Sequence, residues 1–76
     1  MTPTARKAAI WLAVFRGGTA IARQVEDLYP GAVGELVRDG LAVVEPASWP
    51  ERSQEWVRLT AQGEWAIIEW LARDEV

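Results

Sequence analysis

The stretch from Trp56 to Gly63, WVRLTAQG, limits what this chain can fold into more than any other. Trp56, Val57, Arg58 and Leu59 have strand character, Thr60 is a good helix N-cap, and a helical pattern starts at Ala61. Upstream, VRDGLAVVE from Val37 to Glu45 reads as a helix that ends at Asp39 and Gly40 and turns directly into another apolar run. Helix end, strand, turn-rich insert, strand, helix is the local order.

The chain has 76 residues and is read as one domain spanning 1–76. A domain this small buries only about 60% of the surface its unfolded chain exposes, so its apolar anchors must be large. Five tryptophans meet that need. There is no Cys and no His, which removes disulfides, thiolate ligands, the usual neutral-pH base and the commonest metal ligand. A reducing, cytoplasmic setting is the expectation. The apolar run Ala8 to Phe15 is far short of the roughly 20 residues a membrane span requires. It lacks a signal-peptide cleavage pattern and reads as a buried helix.

Four Thr and two Ser are the candidate nucleophiles, and none has a base at interpretable spacing. The adjacent acids Glu26 with Asp27 and Asp74 with Glu75 point to different sides of a helix, which suits neither a metal cage nor an acid and base pair. No Gly-rich phosphate loop is present. No enzyme, metal or cofactor is expected.

Taken in order, a first helix begins near Thr2 or Thr4 and ends at Arg16 before Gly17 and Gly18. Its core face is expected to be Ala5, Ala8, Ala9, Leu12 and Phe15, with Trp11 at the edge and Ile10 and Val14 opposite. A second helix, capped by Thr19, carries the stripe Ile21, Val25 and Leu28. After the turn Tyr29–Pro30–Gly31 a third helix runs from about Pro30 to Asp39 with Val33, Leu36 and Val37 inward. Leu41 to Glu45 and Trp56 to Leu59 form a hairpin around the polar insert PASWPERSQE. The last helix, Ala61 to Arg73, turns Ala61, Trp65, Ile68, Leu71 and Ala72 to one side, with Ile67 flanking and Trp70 nearly opposite. Trp56 and Trp65 are expected in the core. The fold class is mainly α with a small β-hairpin, α+β overall.

With LVRDGL around Leu36, Gly40 and Leu41, RLTAQG around Leu59, Thr60 and Gly63, and a hairpin insert between them, the chain resembles a winged helix-turn-helix domain. The likeness is to the PadR and MarR transcriptional regulators. The resemblance implies double-stranded DNA as partner, the third helix in the major groove and the wing on the backbone or minor groove. Carried onto this sequence, the implied DNA-contacting residues are Arg16, Arg23, Gly31, Gly34, Glu35, Arg38, Arg52 and Arg58. Glu35 is a possible acceptor for a cytosine amino group. Regulators of this kind often dimerise through their first and last helices, which implies a homodimer or partner face at Ile10, Trp11, Val14, Ile67 and Trp70, with Trp49 in the wing as a further contact.

Charge pulls against that reading. The net charge is −3, whereas nucleic-acid binders usually carry a basic excess. Residues 1–18 hold Arg6, Lys7 and Arg16 and no acid, while residues 61–76 hold Arg73 against Glu64, Glu69, Asp74 and Glu75. The second and third helices together are acidic, and the wing charges cancel. A second function class follows: a winged-helix protein-interaction module with an acidic surface that does not bind DNA. On that reading Trp49 or Trp70 meets a protein partner, a basic one being the natural complement to the acidic surface.

Overall fold

The computed structural model describes residues 1–46 and 54–73. Its elements are α1 (Pro3–Arg16), β1 (Thr19–Ile21), α2 (Ala22–Leu28), α3 (Ala32–Arg38), β2 (Ala42–Pro46), β3 (Glu55–Leu59) and α4 (Ala61–Ala72). This is the winged-helix order with one strand more than the hairpin expected from sequence. The wing tip, with Trp49 and Arg52, lies outside the described residues.

α1 starts where its sequence says it should. The Thr2 hydroxyl accepts the Ala5 N–H at 3.2 Å, Pro3 occupies the first turn, and Gly17 closes the helix in left-handed geometry. Ala5, Ala8, Ala9 and Leu12 are fully buried. Phe15, assigned to the same face, is instead 73% exposed, because the helix runs past the edge of the core in its last turn.

Thr19 is not a helix cap. Thr19, Ala20 and Ile21 pair antiparallel with Arg58, Val57 and Trp56, so the segment is the third strand of a sheet ordered β1-β3-β2. Two β-branched residues flank a small Ala20 that is 3% exposed, which suits a strand buried on one side. α2 starts later, at Ala22, and no side chain caps it. The expected stripe reduces to Val25, since Ile21 belongs to the strand and Leu28 is exposed.

α3 starts two residues later than expected, at Ala32–Arg38, after Gly31 takes a positive φ of 83°. Leu36 is fully buried as expected. Ala32 is buried one turn before Leu36, and Val37, read as inward, is exposed, because Ala32 and Leu36 define the face that meets α1. β2 then pairs with β3 from Ala42 opposite Leu59 to Pro46 opposite Glu55, which makes β3 the central strand. Its Val57 is fully buried, whereas Trp56, expected in the core, is half-buried on the other side.

Thr60 caps α4 by accepting the Gly63 N–H at 3.0 Å, and its hydroxyl donates to the Gly40 carbonyl at 2.8 Å. The helix packs the other way round from the expectation. Gly63 and Ile67 are buried and Trp70 lies half-buried on the core, while Trp65 is 63% exposed with Ile68 and Leu71. Gly63 explains the choice. It passes over the Leu41 backbone so closely that any Cβ there would overlap the Leu41 carbonyl oxygen, so this face alone lets α4 settle against the start of β2.

Candidate nucleic-acid interface

α2, the turn through Tyr29 and Gly31, and α3 form the helix-turn-helix, and β2 and β3 form the base of the wing beside it. Gly31, Gly34 and Arg38 are exposed on α3, and nothing lies within 4 Å of where a Cβ on Gly34 would stand. The outer face of α3 is thus low in side-chain relief, and its backbone can come close to a surface.

The polar groups around this face are mostly occupied. Glu35 is half-buried, and its Oε2 accepts from the Thr2 backbone N–H at 2.8 Å and the Thr2 hydroxyl at 3.1 Å. That carboxylate ties α3 to the start of α1 instead of pointing at a base. Arg38 stands 3.4 Å from Asp39 and 4.0 Å from Glu35. On the sheet, Arg58 Nε donates to Glu45 Oε1 at 2.8 Å, a diagonal pair between β3 and β2. This hydrogen bond, followed by the Coulomb attraction, holds the Glu45 carboxyl below its ordinary pKa and the Arg58 guanidinium above its own. Both groups stand in water, so the pair contributes little to stability.

Arg16 lies over the Trp11 ring, 5.2 Å from its centroid, and Trp11 in turn meets Tyr29 at 6.2 Å. Arg23 is exposed on α2 and makes no ion pair with another described residue. It borders a depression with Ile21, Ala22, Gln54 and Glu55, where α2 meets β3. Of the implied DNA-contacting cations, Arg23 and Arg16 are not matched to an acid among the described residues, while Arg38 and Arg58 are. Among the described residues no group of three or more His, Cys, Asp or Glu is placed to hold a metal ion.

Sequence reasoning missed Glu26. Its two carboxylate oxygens accept the N–H groups of Gly31 and Val33 at 3.2 and 3.1 Å, so an acid from α2 caps the start of α3. The signal was an acid five residues ahead of a Gly that opens a helix, a spacing that becomes legible once the turn geometry is known.

Of the implied interface residues, Ile10 and Trp11 are half-buried on α1 and Val14 is 63% exposed. Ile67 belongs to the core, and Trp70 packs against it with Arg6 over its ring at 5.5 Å. The outward aromatic of α4 is Trp65. Among the described residues no helix is long and apolar enough to cross a membrane.

No family model matches this chain, and no curated protein matches it. A solved structure does: the crystal structure of transcriptional regulator PA4135, with a TM-score of 0.75 and 17% sequence identity over 97% of this chain. The chain spans 58% of the length of that protein. At this identity the likeness is one of fold, and the winged-helix expectation is borne out at that level.

Proposed function

We propose that this chain is a winged-helix transcription regulator that binds double-stranded DNA, presenting α3 to the major groove and the β2–β3 wing to the backbone. The observation that carries the reading is the exposed α3, smooth at Gly31 and Gly34, set between a helix-turn and a β-wing in a frame shared with a transcriptional regulator. Residues 1–76 act as one unit, and Arg23 and Arg16 are the first phosphate contacts, joined by Arg52 in the wing. Arg38 and Arg58 reach DNA by exchanging their acidic partners for phosphate. Gly31 and Gly34 permit close approach, and Glu35 serves the domain by holding α1. The role is non-enzymatic and needs no cofactor, the setting is the cytoplasm, and the working form is a homodimer, which doubles the cations offered to one duplex.

The test is a mobility-shift assay with pooled genomic duplexes at low salt. Binding that weakens steeply with added salt, and that Arg23→Ala weakens across all sequences, supports the reading. No binding at the lowest salt ends it.

A second reading is favoured by one observation, the Glu26 carboxylate seated on the N–H groups where α3 begins. An acid there repels phosphate. On this reading the winged-helix frame is a protein-interaction module, and a pull-down from lysate recovers a protein in place of nucleic acid, with Arg substitutions having little effect.

A further inference from the structure

Trp11 and Phe15 leave aromatic surface on α1 that the core does not use. Lys7, Trp11 and Phe15 recur at four-residue steps, so their side chains stand in one row about 12 Å long on the helix surface. Phe15 is 73% exposed at one end of the row, and Lys7 is exposed at the other. Tyr29, from the turn between α2 and α3, meets the row at Trp11, with ring planes tilted by 60°. Lys7, Ile10, Trp11, Phe15 and Tyr29 together line a shallow depression.

Charge narrows what this face can take. Its lining holds a cation and no acid, and the exposed Arg16 sets its guanidinium over the Trp11 ring. Residues 1–18 contain no acid at all, in a chain of net charge −3. The acids of α2 and α3 that come closest in the sequence to Tyr29 and to the start of α1 are already engaged. Glu26 accepts from Gly31 and Val33, and Glu35 accepts from Thr2.

Rings edged by cations suit a ligand that is planar, apolar on its faces and negatively charged along its length. A single nucleic-acid strand has those properties, because its unpaired bases stack on aromatic side chains while cations track its phosphates. A duplex cannot use the same rings, since its bases are held inside their own stack.

We propose that the row Lys7, Trp11 and Phe15, with Tyr29, is a stacking platform for single-stranded nucleic acid. Bases lie on Phe15 and on the paired Trp11 and Tyr29 rings, and phosphates meet Lys7 and Arg16. The row has the length of about three stacked nucleotides. Tyr29 stands in the turn that leads into α3, so the strand lies beside that helix without taking its outer face at Gly34 and Arg38. The platform goes beyond the duplex reading and does not depend on it.

The test is fluorescence anisotropy of a labelled single-stranded oligothymidylate with the full chain, run beside a mixed-sequence duplex and beside thymidine monophosphate. The strand is expected to bind, and more weakly as salt is added. Phe15→Ala and Lys7→Gln are each expected to weaken strand binding at least ~5-fold and to leave duplex binding unchanged, whereas Phe15→Tyr keeps strand binding within about 2-fold. Both side chains stand in water, so the variants keep the fold, which circular dichroism checks. Absence of strand binding at the lowest salt overturns the platform, and so does strand binding that Phe15→Ala does not change. Equal losses on strand and duplex would reveal one shared phosphate surface and overturn it too. Thymidine monophosphate held as tightly as the oligomer would make the depression a pocket for a small aromatic anion, and a dimer that Phe15→Ala dissociates would give the face to a second copy; either result overturns the strand. Strand binding without duplex binding upholds the platform and ends the duplex reading.

Discussion

Gly63 crosses the backbone of Leu41, whose carbonyl also accepts the Thr60 N–H at 3.0 Å. Gly34 lies in the open, with nothing within 4 Å of where its Cβ would be. Two glycines inside helices thus face opposite demands. Gly63→Ala is expected to destabilise the domain by about 2 kcal/mol, since the overlap with fixed backbone outweighs the ~1 kcal/mol that Ala gains in a helix. Gly34→Ala is expected to stabilise it by up to ~1 kcal/mol. Urea unfolding of both variants checks the opposite signs.

Thr60 ties the β3–α4 junction to the α3–β2 turn, accepting from Gly63 and donating to Gly40. Thr60→Ala removes the cap and leaves the Gly40 carbonyl to water. A loss of about 1–2 kcal/mol is expected from denaturant midpoints, and Thr60→Ser is expected to restore most of it.

Glu26 separates stability from DNA affinity. Glu26→Gln keeps one acceptor oxygen, for Gly31 or Val33 but not both, and removes the negative charge at the start of α3. Duplex binding at low salt is expected to tighten several-fold, with stability lowered by less than about 1 kcal/mol. Fluorescence anisotropy with a labelled duplex measures the first quantity and thermal unfolding the second. Unchanged or weaker binding would count against α3 as the groove-facing helix.

The Glu45 and Arg58 pair sets a pH dependence of known sign. The folded-state pKa of Glu45 is lowered, so its contribution to stability is present above the ordinary carboxylate pKa and is lost as pH falls through the lowered value. NMR titration of the Glu45 carboxyl is expected to give a midpoint below that of a free glutamate, and Arg58→Ala is expected to return it to the ordinary value. The effect on global stability is small because both side chains face water.

Local chemistry made several boundaries readable before any coordinates. Thr2, Pro3 and Gly17 bracket α1, and Thr60 starts α4, because caps act within three or four residues of the groups they satisfy. β1 was not readable in that way. Thr19 is an equally good cap or strand residue, and the partner that decides between them, Arg58 on β3, is distant in sequence. The orientation of α4 failed for a related reason. Both of its faces are apolar, so periodicity favoured the one with the larger side chains, while the deciding residue was the smallest, Gly63. The implied DNA-contacting residues could be named by type and position, but their partners could not. Thr2 on Glu35 and Glu45 on Arg58 are contacts between separate elements.

β3 is the central strand, yet it follows three helices in the chain. Its Val57 completes the core from a position 37 residues after its partner Ala20, whereas β2 meets β3 as an adjacent hairpin. Closing the longer loop costs more entropy, so β1 joins the sheet after the hairpin has formed. During synthesis, α3 can settle on the Ala5, Ala8, Ala9 and Leu12 face of α1 once it emerges, while β3 and α4 close the rest of the core later. The order of elements thus leaves the emerging chain open to aggregation until β3 has joined the sheet, and it places the commitment to fold after β3 has emerged.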